Sequence, residues 1–301
     1  MLDISVIILT YNEELHIRRC IENVEPIARD IFIIDSYSTD KTLEIAKGYE
    51  KVHILQKKWE NNHAKQFNWG LENADIKTKW VLRLDADEYL TPELIDELKE
   101  KLPTLPNDVN GIIFNRRHIF MGKWVKRGVY PVKLLRMFRY GKGVCEQRLM
   151  DEHIQLTEGH FVEFNYDFCD HNLNNLSWWT QKHVGYAIRE ATDLLDMEYD
   201  LTGSAKNDET INLSSQALKK RRRKHGYAKK PLFWRSFAYF IYRYFFKLGF
   251  LEGKEGFLWH FLQGWWYRTL VDAKVYEIKR KSEGNPDRIK AILRDEYNIV
   301  I

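Results

Sequence analysis

Residues 80–88 read W-V-L-R-L-D-A-D-E. The run is short, apolar except for Arg83, and stops at two carboxylates one residue apart, Asp85 and Asp87; this is an apolar strand with a charged tip. Three similar runs precede it: Ser5–Leu9, Ile31–Asp35 and Val52–Gln56. Helical patterns fill the gaps. Ile17, Cys20, Ile21 and Val24 recur at i, i+3, i+4 and i+7, Leu43 with Ala46 mark a second amphipathic helix, and a third spans Ala64–Asn73. After the charged tip, Thr91-Pro92-Glu93 starts a helix, with Thr as N-cap and Pro in the first turn, and Leu94, Leu98 and Leu102 supply its apolar stripe. Short strands alternating with helices predict βαβ units and a mostly parallel sheet.

Further along, Gly111–Phe114, Leu134–Phe138 and His160–Phe164 are rich in aromatic and β-branched residues and predict antiparallel additions to the same sheet. Ser177–Asp200 reads as a helix and Asp200–Leu213 as a polar linker. Beyond it lie the run K-K-R-R-R-K-H-G-Y-A-K-K and a region with 17 Phe, Tyr or Trp among residues 227–267.

The 301 residues carry 47 Lys or Arg against 43 Asp or Glu, an average that hides a polarity. Residues 210–251 hold eleven Lys or Arg and no acid, so the remainder, with 36 basic and 43 acidic residues, is net negative. With 44% hydrophobic residues the chain can bury a real core, which excludes disordered and fibrous classes. Three cysteines, Cys20, Cys145 and Cys169, form no C-x-x-C and fit a reducing, cytoplasmic compartment rather than a disulfide framework or zinc site. M-L-D-I-S-V-I-I-L-T-Y-N-E-E at the start is expected to be a buried strand, not a signal peptide. Near the other end the longest uncharged stretch, Gly256–Tyr267, falls short of the ~20 apolar residues a spanning helix needs.

Ligands of open α/β sheets collect at the carboxyl ends of strands. Two carboxylates there can engage a hard divalent cation, which prefers oxygen and bridges to phosphates. Such an ion neutralises a nucleoside diphosphate as the bond to it breaks. An isolated D-x-D is more often a solvated loop than a cation site, but this one has neighbours. The first strand ends in Thr10-Tyr11-Asn12-Glu13-Glu14 and the second in Asp35-Ser36-Tyr37-Ser38-Thr39-Asp40-Lys41-Thr42. At these spacings T-Y-N-E, D-S-x-S-x-D-x-T and D-A-D resemble the family 2 glycosyltransferases of the GT-A fold, an α/β fold with a Rossmann-like, mostly parallel central sheet and antiparallel additions.

The resemblance covers the first hundred residues closely and implies roles. Thr10, Tyr11 and Glu13 border the base and ribose, Asp35 hydrogen-bonds the uracil or ribose, Asp85 lies on the ribose side, and Asp87 holds Mn²⁺ or Mg²⁺. Lys65, in N-H-A-K-Q-F-N-W-G, matches the basic residue these enzymes place near the donor. Asp40 is either part of this site or a helix cap. Inverting transfer to a hydroxyl also needs a general base. Candidates lie in Arg148-Leu149-Met150-Asp151-Glu152-His153, where related lipopolysaccharide-core glucosyltransferases read R-L-x-H-E; Glu152 is expected to be the base, with Asp151 the open alternative. Cys169-Asp170-His171-Asn172, followed by K-H-x-x-Y-A at 182–187, resembles the same group and implies His171 as an extra metal ligand. G-F-L-E-G-K-E-G at 249–256 resembles their G-F-x-D-G-x-x-G segment, with Glu252 where Asp is usual.

The implied division is a catalytic domain over 1–200, with a nucleotide-sugar half (1–100) and an acceptor half (101–200), and a basic, aromatic helical region over 201–301. Within 231–251, Arg235, Tyr239, Arg243 and Lys247 share one i, i+4 stripe and aromatics fill the rest of the circumference. That pattern predicts a membrane-associating interfacial helix, with basic residues on anionic headgroups; the alternative is ordinary core packing against the catalytic domain. A nucleic-acid partner is not expected, because it explains neither D-A-D nor T-Y-N-E. The expected function is metal-dependent inverting transfer from a UDP-sugar to a lipid-linked saccharide, in lipopolysaccharide or capsule assembly, by a protein peripheral on the inner face of the cytoplasmic membrane. Transfer to a polyprenyl phosphate and a non-catalytic membrane- or RNA-binding module are the alternatives.

Overall fold

A computed structural model describes residues 1–146, 152–203 and 215–301, with side chains in the last stretch from residue 222 onward. By internal packing the chain divides into two units, Met1–Leu173 with Ile211–Leu218, and Asn174–Thr210 with Lys219–Ile301.

In chain order the first unit runs β1 (Ile4–Thr10), α1 (Ile17–Val24), β2 (Asp30–Asp35), α2 (Thr42–Ala46), β3 (Val52–Gln56), α3 (His63–Asn73), β4 (Trp80–Asp85), β5 (Glu88–Leu90) and α4 (Pro92–Lys101). It continues with β6 (Val109–Phe120), β7 (Lys123–Trp124), β8 (Val132–Arg139), β9 (Gly143–Cys145), β10 (Ile154–Leu156) and β11 (His160–His171). The main sheet has the order β3-β2-β1-β4-β8-β6-β11-β5, with β7 on β6. Strands β1 to β4 are mutually parallel. Strand β8 enters antiparallel between β4 and β6, β11 lies parallel to β6, and β5 is antiparallel to β11. The expected mostly parallel sheet with antiparallel additions is therefore present.

Side chains alternate across a strand, and here both faces are covered. Ile4, Val6 and Ile8 of β1 join Leu82 and Leu84 of β4 in a core with α1 and α4, whereas Ile7 and Val81 join a second core with Ala64 and Phe67 of α3 and with Cys145, Ile154 and Leu156 of the β9–β10 hairpin. Each fully buried Ile or Leu contributes about 1.5–3 kcal/mol. Two consequences position the site. The register sets Thr10 beside Asp35 and Leu9 beside Asp85, so the strand-end polar residues are neighbours. Asp85 also follows Val81 and Arg83 onto the face that α3 and the hairpin cover, the hairpin from which Glu152 projects.

Helix ends follow the sequence signals. Thr91 accepts the Leu94 amide at the start of α4, and Asn62 accepts the Lys65 amide at the start of α3. Ile17, Cys20, Ile21 and Val24 are the buried residues of α1.

The second unit is helical: α5 (Leu176–Tyr199), α6 (Ser215–Ala228), α7 (Trp234–Ile241), α8 (Gly253–Trp259), α9 (Tyr267–Ser282) and α10 (Pro286–Tyr297), with π-helical turns at Tyr242–Phe246 and His260–Trp266. Its core joins Ala187, Ala191 and Leu195 of α5 to Val271, Val275 and Ile278 of α9 and Ile289 and Leu293 of α10. The apolar stripe of α5 is thus buried against α9 within this unit. The linker read at 200–213 lies from residue 204 onward outside the described residues. Among those described, no helix is long and apolar enough to cross a membrane.

The basic stripe corrects an expectation. Arg235 and Arg243 are each 4% exposed. Arg235 donates to Asp272 of α9 from Nε (2.8 Å) and Nη2 (2.5 Å), and Arg243 donates to Gln263 (2.8 Å). A buried guanidinium needs partners for its donors, and Asp272 and Gln263 supply them here, so these two arginines point into the helical unit. Lys247 alone of the cations in that stripe remains exposed.

Candidate active site

Strand ends β1, β2 and β4 place their polar tips together, and the structure distinguishes struts from free groups. Asp35 is fully buried and accepts four hydrogen bonds: from Thr10 Oγ1 (2.9 Å) and Ser38 Oγ (2.5 Å) on one oxygen, and from the Ser38 amide (2.9 Å) and Gln56 Nε2 (3.2 Å) on the other. A carboxylate offers about four lone-pair sites. In this arrangement Asp35 and Thr10 tie β1, β2 and β3 to the loop after β2.

Asp40 has a similar task. It accepts the Thr42 amide (3.0 Å) and hydroxyl (2.5 Å) and the Glu14 amide (3.0 Å), capping α2 and fastening the loop after β1 to it. Burial works against its ionisation, but the hydrogen bonds from Thr42 and Glu14 win and hold the carboxyl below its usual range. Glu13 donates its amide to the Thr42 hydroxyl oxygen (2.7 Å), and its carboxylate holds His16 Nδ1 at 2.6 Å. Tyr11 projects outward, 61% exposed, as a surface ring can beside a planar ligand.

At the D-A-D tip, Asp85 is flanked by Arg83 (3.8 Å) and Arg136 (3.5 Å), and its amide donates to Glu88 (2.9 Å). Burial raises its pKa, yet Arg136, Arg83 and His63 outweigh that and bring it to about 2. Glu88 lies buried against Arg136, and burial pushes its carboxyl up. Across β11, Asp170 pairs with Arg116 (3.4 Å) and His118 (3.2 Å); burial opposes ionisation there too, but His118 and Arg116 keep Asp170 well below the usual range. Carboxylates and guanidiniums thus alternate around the strand ends.

Asp87 and His171 are brought together as expected: the His171 amide donates to the Asp87 carbonyl (3.1 Å), and Asn172 Nδ2 donates to the Asp87 carboxylate (2.9 Å). One guanidinium binds the pair. Arg19 donates to the His171 carbonyl (2.6 Å), the Asp87 carbonyl (3.1 Å) and His171 Nδ1 (3.2 Å). Burial, then Arg19, lowers the pKa of His171 and keeps the ring neutral. Because Arg can only donate, Nδ1 of a neutral His171 is the acceptor and Nε2 carries the proton. So held, His171 is a donor, and it becomes a ligand only by exchanging Arg19. Among the described residues no group of three or more His, Cys, Asp or Glu could hold a metal ion. The chemistry fits a cation anchored on Asp87 whose remaining positions are filled by phosphate oxygens and water, the usual habit of Mg²⁺.

The two base candidates differ. Asp151 lies outside the described residues. Glu152 is partly buried at the base of β10, near enough to Cys145 to raise its thiol, which burial has already pushed up, to about 11. Cys145 in turn accepts from Arg83 (3.4 Å), the partner of Asp85, so Glu152 belongs to the same neighbourhood. Glu146 pins this hairpin by accepting the His153 amide (2.9 Å) and Gln155 Nε2 (3.2 Å). Lys65 stands apart: its ammonium is half exposed, 3.6 Å from Glu60, and the α3 residue that acts on Asp85 is His63. Arg19, Glu88, His63 and Asp170 were not anticipated. The available signal was Arg83 in W-V-L-R-L-D and Arg136 in L-L-R-M-F: a guanidinium in a buried strand demands carboxylate partners nearby.

A family model described as Glycosyl transferase family 2 matches residues 5–161. An uncharacterized glycosyltransferase of Rickettsia typhi is 27% identical over 298 residues, covering 94% of this chain and 89% of that protein. One of Rickettsia bellii is 36% identical over 96 residues, but this match spans 32% of this chain and 31% of the relative. The lipopolysaccharide core biosynthesis glycosyltransferase LpsC of Rhizobium meliloti is 30% identical over 146 residues, 47% of this chain and 53% of LpsC. The chain thus spans most of the Rickettsia typhi relative but only about a third of the Rickettsia bellii one and about half of LpsC. Among solved structures, residues 1–349 of S. aureus TarS align over 98% of this chain and 92% of that one, at 14% identity and a TM-score of 0.46.

Proposed function

The chain belongs to glycosyl transferase family 2 and is a glycosyltransferase, and from that premise we propose that it transfers a sugar, with inversion, from a UDP-sugar to a hydroxyl of a lipid-linked saccharide. The observation that carries this reading is the D-A-D tip, where Arg83 and Arg136 keep Asp85 ionised and Asp87 stands beside His171 and Asn172. Bound there, Mn²⁺ or Mg²⁺ supplies Lewis-acid stabilisation of the diphosphate as it leaves. Asp87 would hold the ion, with His171 the lesser contributor because Arg19 engages its Nδ1. Tyr11 would lie against the base, Thr10 and Asp35 would order the loop beneath it, Asp85 would face the ribose, and Glu13 and Lys65 would border the donor. Glu152, or Asp151 beside it in sequence, would take the acceptor's proton.

LpsC's name supports a role in lipopolysaccharide or another cell-surface glycan, and a lipid-linked acceptor of that kind would be met at the inner face of the cytoplasmic membrane. The test is calorimetric titration with UDP, with and without Mn²⁺. Metal-linked binding that Asp87→Ala abolishes, and that His171→Ala weakens less, is expected; UDP binding indifferent to both metal and Asp87 overturns the reading. Glu152→Gln should lower turnover by about a hundredfold or more. Full activity in that variant would point to an acceptor that is already an anion, such as a polyprenyl phosphate.

A further inference from the structure

One part of the helical unit buries cations and exposes rings. On α7 and the π-turn after it, Arg235, Ser236 and Arg243 are buried, while Trp234, Phe245 and Phe246 are 72%, 51% and 75% exposed. The exposed rings Trp234, Phe237, Phe250 and Phe257 are linked to one another through the half-buried Tyr244, Phe261 and Trp265. Ring contacts run from Trp234 to Phe237 (6.5 Å), Phe237 to Trp265 (5.2 Å), Trp265 to Phe261 (5.8 Å), Phe261 to Phe257 (6.0 Å), Phe257 to Tyr244 (5.7 Å) and Tyr244 to Phe250 (6.3 Å). Leu248 and Leu251, 43% and 56% exposed, add to this apolar surface. Single exposed apolar residues need no explanation, but a contiguous patch does.

Two further observations say what covers it. Lys229, Lys230, Lys247 and Lys254 are all exposed, and residues 210–251, which carry most of these side chains, contain eleven Lys or Arg and no acid, Glu252 and Glu255 being the first acids after them. Backbone strain also lies within the aromatic surface. Phe233 and Leu248, both exposed, adopt φ of 67° and 59°, a left-handed region that bulky residues rarely enter; such conformations persist where the surroundings hold them and gather at functional sites. Exposed aromatic rings with exposed lysines close in sequence match the boundary layer of an anionic bilayer, where rings sit at headgroup depth and ammonium groups meet phosphates.

We propose that this surface inserts its aromatic side chains into the headgroup boundary of an anionic membrane, and that apolar insertion, not the arginine stripe, holds the protein there. The inference rests on the membrane location proposed above and names what produces it. Surface charge attracts only within a Debye length and is screened by salt, whereas apolar burial is not weakened by it. Attachment should therefore survive ionic strength that would strip an electrostatically bound protein.

The experiment uses the full chain with vesicles of phosphatidylethanolamine containing one-quarter phosphatidylglycerol, scored by co-sedimentation. Wild type should pellet, with an affinity that falls less than about threefold when salt rises to a level that screens exposed charge within a few ångströms. The double variant Phe246→Asp, Leu251→Asp should lose about tenfold or more, without loss of thermal stability, since both side chains are exposed. Brominated lipid should quench a tryptophan component that Trp234→Phe removes. Pelleting abolished by salt, or unchanged in the double variant, overturns insertion while leaving a membrane location standing. No pelleting at all overturns both. A wild-type dimer that the same double variant dissociates would assign the surface to a second copy and also overturn the proposal. Metal-linked UDP binding is measured alongside, so that failure here and failure of the glycosyltransferase site are separate results.

Discussion

The four donors on Asp35 make a definite claim about what its loss would do. Asparagine keeps one acceptor oxygen and puts an NH2 in place of the other, facing either the Ser38 and Gln56 N–H groups or the Thr10 and Ser38 hydroxyls, which then lose the acceptor they donate to. A buried donor left unpaired costs about 1–3 kcal/mol, so Asp35→Asn should lower the urea midpoint without changing its slope. Unchanged stability together with lost UDP binding would instead mean that the carboxylate meets the nucleotide directly. Asp40 carries a pH signature. Its pKa is depressed in the folded chain, so its contribution is present above the unfolded value of about 3.9 and is lost as pH falls through the folded one. Asp40→Asn should destabilise at pH near 7 and approach wild type in acid, compared by urea unfolding at the two pH values. Sequence showed that these strand tips are polar and belong together. It did not show which lone pairs were already taken, because Thr10, Ser38 and Gln56 reach Asp35 from three separate segments.

At the level of elements, the hairpin that carries Glu152 is clasped to α3 by one side chain. Asn68 donates to the Cys145 carbonyl (2.8 Å) and accepts the Cys145 amide (2.9 Å), filling both halves of a strand-like pair. Asn68→Ala removes both bonds and should cost about 1–3 kcal/mol. Hydrogen exchange at Cys145 should quicken and turnover should fall, whereas UDP binding should hold because the D-A-D tip is untouched; equal loss of binding and turnover would argue that the hairpin shapes the donor pocket instead. The longer elements were legible from periodicity alone, α1 and α4 to within a turn. Strand β11 was not. It was read as ending at Phe164 but continues to His171 past a register shift between Glu163 and Asp167. The break has a cause: the buried Glu97 of α4 accepts the Asn165 amide (3.0 Å) and the Tyr166 amide (3.3 Å), which frees that stretch from β6. A side chain reaching across 68 residues leaves no mark in local pattern.

For the molecule as a whole, two units with their own cores imply two sources of stability. The first is built on a sheet covered on both faces, the second on α5, α9 and α10 with the Arg235–Asp272 pair at its centre, where both side chains are at most 2% exposed. A buried ion pair is weak evidence for stability while intact, but removing one partner strands the other charge and costs about 3–5 kcal/mol. Asp272 also accepts the Phe233 amide (2.8 Å), the residue held at positive φ at the edge of the aromatic surface. Asp272→Ala should therefore weaken the helical unit and release that surface together, while the UDP binding proposed for the sheet unit should persist. Calorimetry would decide between two arrangements. Separate transitions, with UDP raising one and Asp272→Ala lowering the other, are expected of independent cores; a single transition moved by both would show that the two units melt as one cooperative body.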